Sequence, residues 1–68
     1  MNALGNRLRH LRESHNMTTR MLGEKIGISH SQITKYETGQ HEPKLSVLLK
    51  YKEIFGVTLD HLLDDKEG

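Results

Sequence analysis

Leucines at 4, 8 and 11 recur at i, i+4 and i+7, the spacing that gathers side chains on one helix face. LGNRLRHLRES is therefore read as an amphipathic first helix, with Arg7, Arg9 and His10 turned mostly to water. His15-Asn16 follows, and asparagine is second only to glycine as a left-handed helix end. The next apolar positions, Leu22 and Ile26, then Ile33 and Tyr36, predict two short helices over about residues 19–26 and 30–37. Met17 and Leu22 flank a candidate N-cap at Thr18, and Ile28 and Ile33 flank another at Ser29, so both helices start with a hydrophobic staple. Ser29 and Gln32 also have the S-x-x-Q spacing of a capping box. Gly27 and Gly39 stand where the two helices must stop. Local chemistry alone thus predicts two short helices joined by a tight turn.

After a polar loop at Gln40 to Glu42, Pro43 suits a position just before or at the first turn of a fourth helix, which runs to Phe55. Its apolar residues fall into two stripes, one of Leu45, Leu48, Leu49 and Phe55, the other of Val47, Tyr51 and Ile54. A helix apolar on both sides is expected to be largely buried. Gly56 closes it, Thr58 caps a short fifth helix, and Val57 with Leu62 repeats the staple spacing. Residues 64–68 are expected to fray. With no strand alternation, repeat or low-complexity segment, the expected class is all-α, five helices in one domain over residues 1–68.

Sixty-eight residues bury only ~60% of the surface the unfolded chain exposes, so modest stability is expected unless the chain pairs. There is no cysteine, hence no disulfide framework or thiolate metal site, which fits a reducing cytoplasm. No apolar run approaches the ~18 residues of a membrane span, and the first residues lack a basic start followed by an apolar stretch, so secretion is not expected. The net charge is only +1, but its distribution is uneven. Residues 1–44 carry seven Lys/Arg against four Asp/Glu, whereas residues 45–68 carry three against five. Positive charge lies with the two-helix unit.

Taken together, LGNRLRHLRE, GEKIGISHSQITKYETG, a proline and LLKYKEIFGVTLDHLL resemble the Cro and C1 repressor type of helix-turn-helix domain, the XRE family, over nearly the whole chain. The resemblance implies a sequence-specific regulator of transcription, acting as a repressor on a double-stranded DNA operator, whose third helix enters the major groove. Its base-reading residues are then His30, Ser31, Thr34 and Lys35, and their chemistry suits that role, since Lys donates to guanine O6 and N7, and Ser and Thr serve several bases. Phosphate contacts are expected from Thr18, Thr19, Arg20, Gln32, Gln40, His41 and Lys44. The resemblance also implies a partly buried ion pair between Arg12 and Glu37. A homodimer is expected, with Val47, Tyr51, Ile54 and His61 as candidate contacts.

Several positions depart from the family pattern. Thr19 stands where Gln is usual and cannot reach as far to support helix three. The loop after helix three carries Gln40, His41 and Glu42 where Lys or Arg is usual, so affinity should lean on hydrogen bonds more than in strongly basic relatives. Gly23 replaces a preferred alanine at a cost of up to ~1 kcal/mol. Lys52 replaces a small buried residue, so its stem should lie along apolar surface.

Other chemistries find little support. His10, His15, His30, His41 and His61 contain no i, i+3 or i, i+4 pair to hold zinc. Ser29, His30 and Ser31 lack a nucleophile elbow, and no Gly-rich phosphate loop exists. No enzyme, cofactor or small-molecule ligand is expected. The competing reading is a protein-interaction module of the same fold, antitoxin-like or coactivator-like, which would show a partner-sized apolar patch and no salt-dependent DNA affinity.

Overall fold

A computed structural model describes residues 3–63, and among them every regular element is a helix. The expected tail at residues 64–68 lies outside the described residues. In chain order the helices are α1 (Ala3–Ser14), α2 (Thr19–Ile26), α3 (His30–Thr38), α4 (Leu45–Phe55) and α5 (Leu59–Leu63). The all-α, five-helix expectation holds, with α3 one residue longer than anticipated.

The helix ends follow from the residues named above. Asn16 has φ 58°, and the Met17 and Asn16 N–H groups donate to the Arg12 and Glu13 carbonyls at 3.1 and 3.0 Å, a Schellman closure of α1. Thr18 Oγ1 accepts from the Met21 N–H at 3.0 Å and Ser29 Oγ from the Gln32 N–H at 3.2 Å, so both predicted N-caps form. The capping box is only half made. The Gln32 amide, instead of returning to the Ser29 N–H, reaches His41. Thr58 Oγ1 accepts from the His61 N–H at 3.0 Å and starts α5.

All three staples pack: Leu22, Ile33 and Leu62 are fully buried, and Met17, Ile28 and Val57 lie half-buried against them. With Leu8, Leu11, Tyr36, Leu48, Tyr51 and Phe55 they form one core. α3 packs between α1 and α2, while α4 closes the other side against α2 and α5. The His15 ring stands edge-on to Phe55 at 4.8 Å.

Two glycines permit close approach. A Cβ on Gly5 would lie 2.5 Å from the Glu37 carbonyl oxygen and 2.8 Å from that of Tyr36, so α1 crosses the end of α3 backbone to backbone. Sequence reasoning passed over Gly5, although a glycine inside a helical pattern is itself a packing signal. A Cβ on Gly23 would lie 2.6 Å from the Ile28 carbonyl oxygen, so the residue expected to be a propensity cost is also where the turn closes on α2.

The two-stripe reading of α4 needs correction. Leu48, Tyr51 and Phe55 form the buried stripe, with Val47 and Ile54 half-buried on one flank. Leu45 and Leu49, on the other flank, are 59% and 40% exposed. The helix is covered on one side because α2 and α5 meet only that side. Lys52 is exposed, so it has no burial to escape. Tyr51 is 0% exposed and is therefore unavailable to a partner copy.

The Tyr51 hydroxyl is buried with no hydrogen-bond partner among the described residues. Burial, reinforced by the charge of Glu37, holds its pKa well above the ordinary phenol value. Tyr51→Phe removes this orphan and should leave stability unchanged or raise it by up to ~1 kcal/mol. An unfolded tyrosine ionises near pH ~10 and the folded one higher, so the parent keeps this share of stability below pH ~10 and loses it as pH rises further. Urea midpoints at about pH 8 and about pH 10.5 check both; a clearly less stable phenylalanine variant would mean the hydroxyl has a partner.

Candidate nucleic-acid interface

The α2-turn-α3 unit presents one polar face. Along α3, His30, Ser31 and Thr34 are exposed and Lys35 is half-buried; at ~100° per residue they span an arc of about 140°. The rest of the circumference carries Ile33, Tyr36 and Glu37, all buried. The four residues expected to read bases therefore share a side that the core does not use. Thr34 Oγ1 donates to the His30 carbonyl at 3.2 Å, leaving its lone pairs and methyl group outward.

At the start of α2, Thr18 and Arg20 are exposed and Thr19 is half-buried. Thr18 caps the helix, so its oxygen is already engaged by the Met21 N–H. After α3, Gln40, His41 and Lys44 are exposed in the loop that leads to α4, and Lys44 is the N-cap residue of α4 without a side-chain cap bond. Gln32 Nε2 lies 3.1 Å from His41 Nδ1. The His41 backbone N–H donates to the Lys35 carbonyl at 3.2 Å, so the loop is fastened to α3 twice.

The expected ion pair is present. Arg12 Nε donates to Glu37 Oε2 at 2.7 Å and Nη2 to Oε1 at 3.0 Å, a bidentate contact between side chains 12% and 6% exposed. Arg12 Nη1 also donates to the Met17 carbonyl at 2.9 Å. One guanidinium thus ties the last turn of α3 to the entry of α2. Hydrogen bonding to Glu37 raises the Arg12 pKa further, against an opposing effect of burial.

Of the four expected dimer contacts only His61 is exposed, and its carbonyl accepts from Arg7 Nη1 at 3.4 Å. Val47 and Ile54 pack against the core, and Tyr51 lies in it. The apolar side chains left open are Met21, Leu45, Leu49 and Leu63, which hydrophobic periodicity had assigned inward or left unremarked. Among the described residues no cluster of His, Cys, Asp or Glu could hold a metal ion. No described helix is long and apolar enough to cross a membrane.

The profile of the Helix-turn-helix family matches residues 8–62. The chain belongs to this family, of the Cro/C1 type. Among its relatives is an HTH-type transcriptional regulator of Methanocaldococcus jannaschii, 33% identical over 57 residues, covering 84% of this chain and 86% of that one. The regulator ImmR of Bacillus subtilis is 31% identical across 96% of this chain and 51% of its own length. The transcriptional activator BcrR of Enterococcus faecalis is 34% identical across 90% of this chain. This chain spans about half of ImmR and 30% of BcrR. Among solved structures, the P22 c2 repressor in complex with synthetic operator 9T superposes with a TM-score of 0.84 at 27% identity, over 93% of this chain and 96% of that one.

Arg12→Ala leaves the Glu37 carboxylate buried without its partner and should cost about 1–3 kcal/mol. Denaturant midpoints of parent and variant read this directly; coincident midpoints would show that the pair does not hold α3 to the rest of the fold.

Proposed function

We propose that this family member is a sequence-specific double-stranded DNA-binding regulator of transcription that represses by occupying its operator. The observation that carries the reading is the exposed face of α3, where His30, Ser31, Thr34 and Lys35 share a side that packing leaves open. α3 then lies in the major groove with its N-terminal residues over base edges. Lys35 donates to guanine O6 and N7, Ser31 serves several bases through its hydroxyl, and the Thr34 methyl meets a thymine methyl. Thr18, Thr19 and Arg20 at the α2 start, with Gln40, His41 and Lys44 on the other side, contact the phosphates, and Gln32 serves that site through its contact with His41. The P22 c2 repressor chain seen in complex with synthetic operator 9T is similar over 96% of that chain. Such an activity needs no catalytic step and no cofactor, and the cytoplasm is the compartment that fits it.

A homodimer completes this reading, with half-sites ~34 Å apart on one side of the duplex. The exposed pair Leu45 and Leu49, one helical turn apart on α4, supplies the apolar surface that the buried Tyr51 cannot. The same pair also favours a second reading, in which the fold is an interaction module for another protein. Sedimentation separates the two. The dimer predicts a parent that self-associates, at least on a two-site duplex, and a Leu49→Glu variant that does not; a parent that stays monomeric both free and on that duplex overturns it.

Lys35 and Lys44 should fail differently. Lys35→Ala removes a base contact and ~1–3 kcal/mol of discrimination at one or two base pairs, with less effect on nonspecific binding. Lys44→Ala removes a phosphate contact, so it should weaken binding to all sequences about equally and flatten the slope of log K against log salt by ~1. Salt titrations on selected and scrambled duplexes decide this. Identical slope changes and identical specificity ratios in the two variants would show that α3 is not in the groove as described.

A further inference from the structure

The loop after α3 runs Gln40, His41, Glu42 before a fixed cation appears at Lys44. Its middle residue is nevertheless held with unusual care. Gln32 Nε2 meets His41 Nδ1 at 3.1 Å, and the His41 N–H meets the Lys35 carbonyl at 3.2 Å. A Gln three residues after the Ser29 cap would ordinarily fold back on that cap. Here it contacts a residue nine positions on, and both partners belong to the face assigned above to phosphates.

We infer that Gln32 is a positioning residue for His41, and that their contact presents His41 Nε2–H as the donor to a DNA backbone phosphate. The inference rests on the DNA-binding reading above. The donor and acceptor roles follow from the pair. With the amide nitrogen facing Nδ1, a neutral ring accepts at Nδ1 and carries its proton on Nε2. Nε2 meets no other group among the described residues, so in this arrangement its proton points outward. Gln32 favours that tautomer without adding charge.

Held this way, His41 contributes one hydrogen bond to a phosphate from a loop whose fixed cation is Lys44. The charged neighbours are Glu42 and Lys44 in the loop and Lys35 on α3, and Gln32 is neutral. His41 forms no ion pair among the described residues, so no fixed carboxylate pre-empts the phosphate.

The test is a double-mutant cycle on a duplex recovered by selection from a randomised library. Affinities are measured at one pH and one salt concentration for the parent, Gln32→Ala, His41→Ala and the double variant. Each single change is expected to weaken binding about three- to tenfold, and the double variant by little more than His41→Ala alone. Gln32→Met, which keeps the length of the side chain without its donor, should match Gln32→Ala. Because Gln32 is half-buried and His41 exposed, thermal midpoints should stay near the parent's. If Gln32→Ala melts early, the comparison rests on Gln32→Met. Losses that multiply in the double variant overturn the inference while the DNA-binding reading stands. A parent that binds no duplex overturns both.

Discussion

The bidentate contact between Arg12 and Glu37 is the constraint on which the placement of the exposed face depends. α3 has nine residues, too few to persist alone in water, so its orientation is inherited from what it touches. Ile33 and Tyr36 anchor it in the core, but apolar contacts tolerate sliding. Glu37 does not, because its carboxylate has one guanidinium to face and almost no water. The bare backbone crossing at Gly5 brings α1 close enough for that contact, and the third Arg12 hydrogen bond, to Met17, carries the same register to the start of α2. Whether such a pair adds net stability is secondary to the geometry it enforces.

What could be read from the chain beforehand was what local chemistry determines. Thr18 and Ser29 cap, Asn16, Gly27, Gly39 and Gly56 turn left-handed, and the staples pack, because each involves residues within about five positions of one another. The Arg12–Glu37 pair spans 25 positions and was anticipated only through the family resemblance. Helix α4 shows the limit: periodicity identifies an apolar face, but with apolar residues on nearly every side it could not say which flank a neighbour covers. Tyr51 went inward and Leu45 and Leu49 stayed out because α2 and α5 lie on one side only. The Gln32–His41 contact was hidden by a competing local explanation, the capping box, that uses the same glutamine.

The resulting face is sparing in charge. Arg20, Lys35 and Lys44 are the fixed cations near it, and the remaining polar groups are hydroxyls, two amides and two imidazoles. Short side chains such as Ser31 and Thr34 have few rotamers to lose, so ordering them costs little compared with long flexible ones. A face built this way depends on placement, since a hydroxyl misplaced by an ångström loses its hydrogen bond whereas a lysine tolerates the shift.

The four longer helices all stop at a residue with positive φ, one asparagine and three glycines. Each stop is encoded within its own turn and needs nothing from the rest of the chain. Helix ends can therefore be set on the timescale of helix formation itself, before the core assembles, leaving the search for the native state to the docking of short segments whose lengths are already correct. Such a chain has little opportunity to pair wrongly on the way: it contains no strand edges among its described residues, and loops of only a few residues separate one stop from the next start.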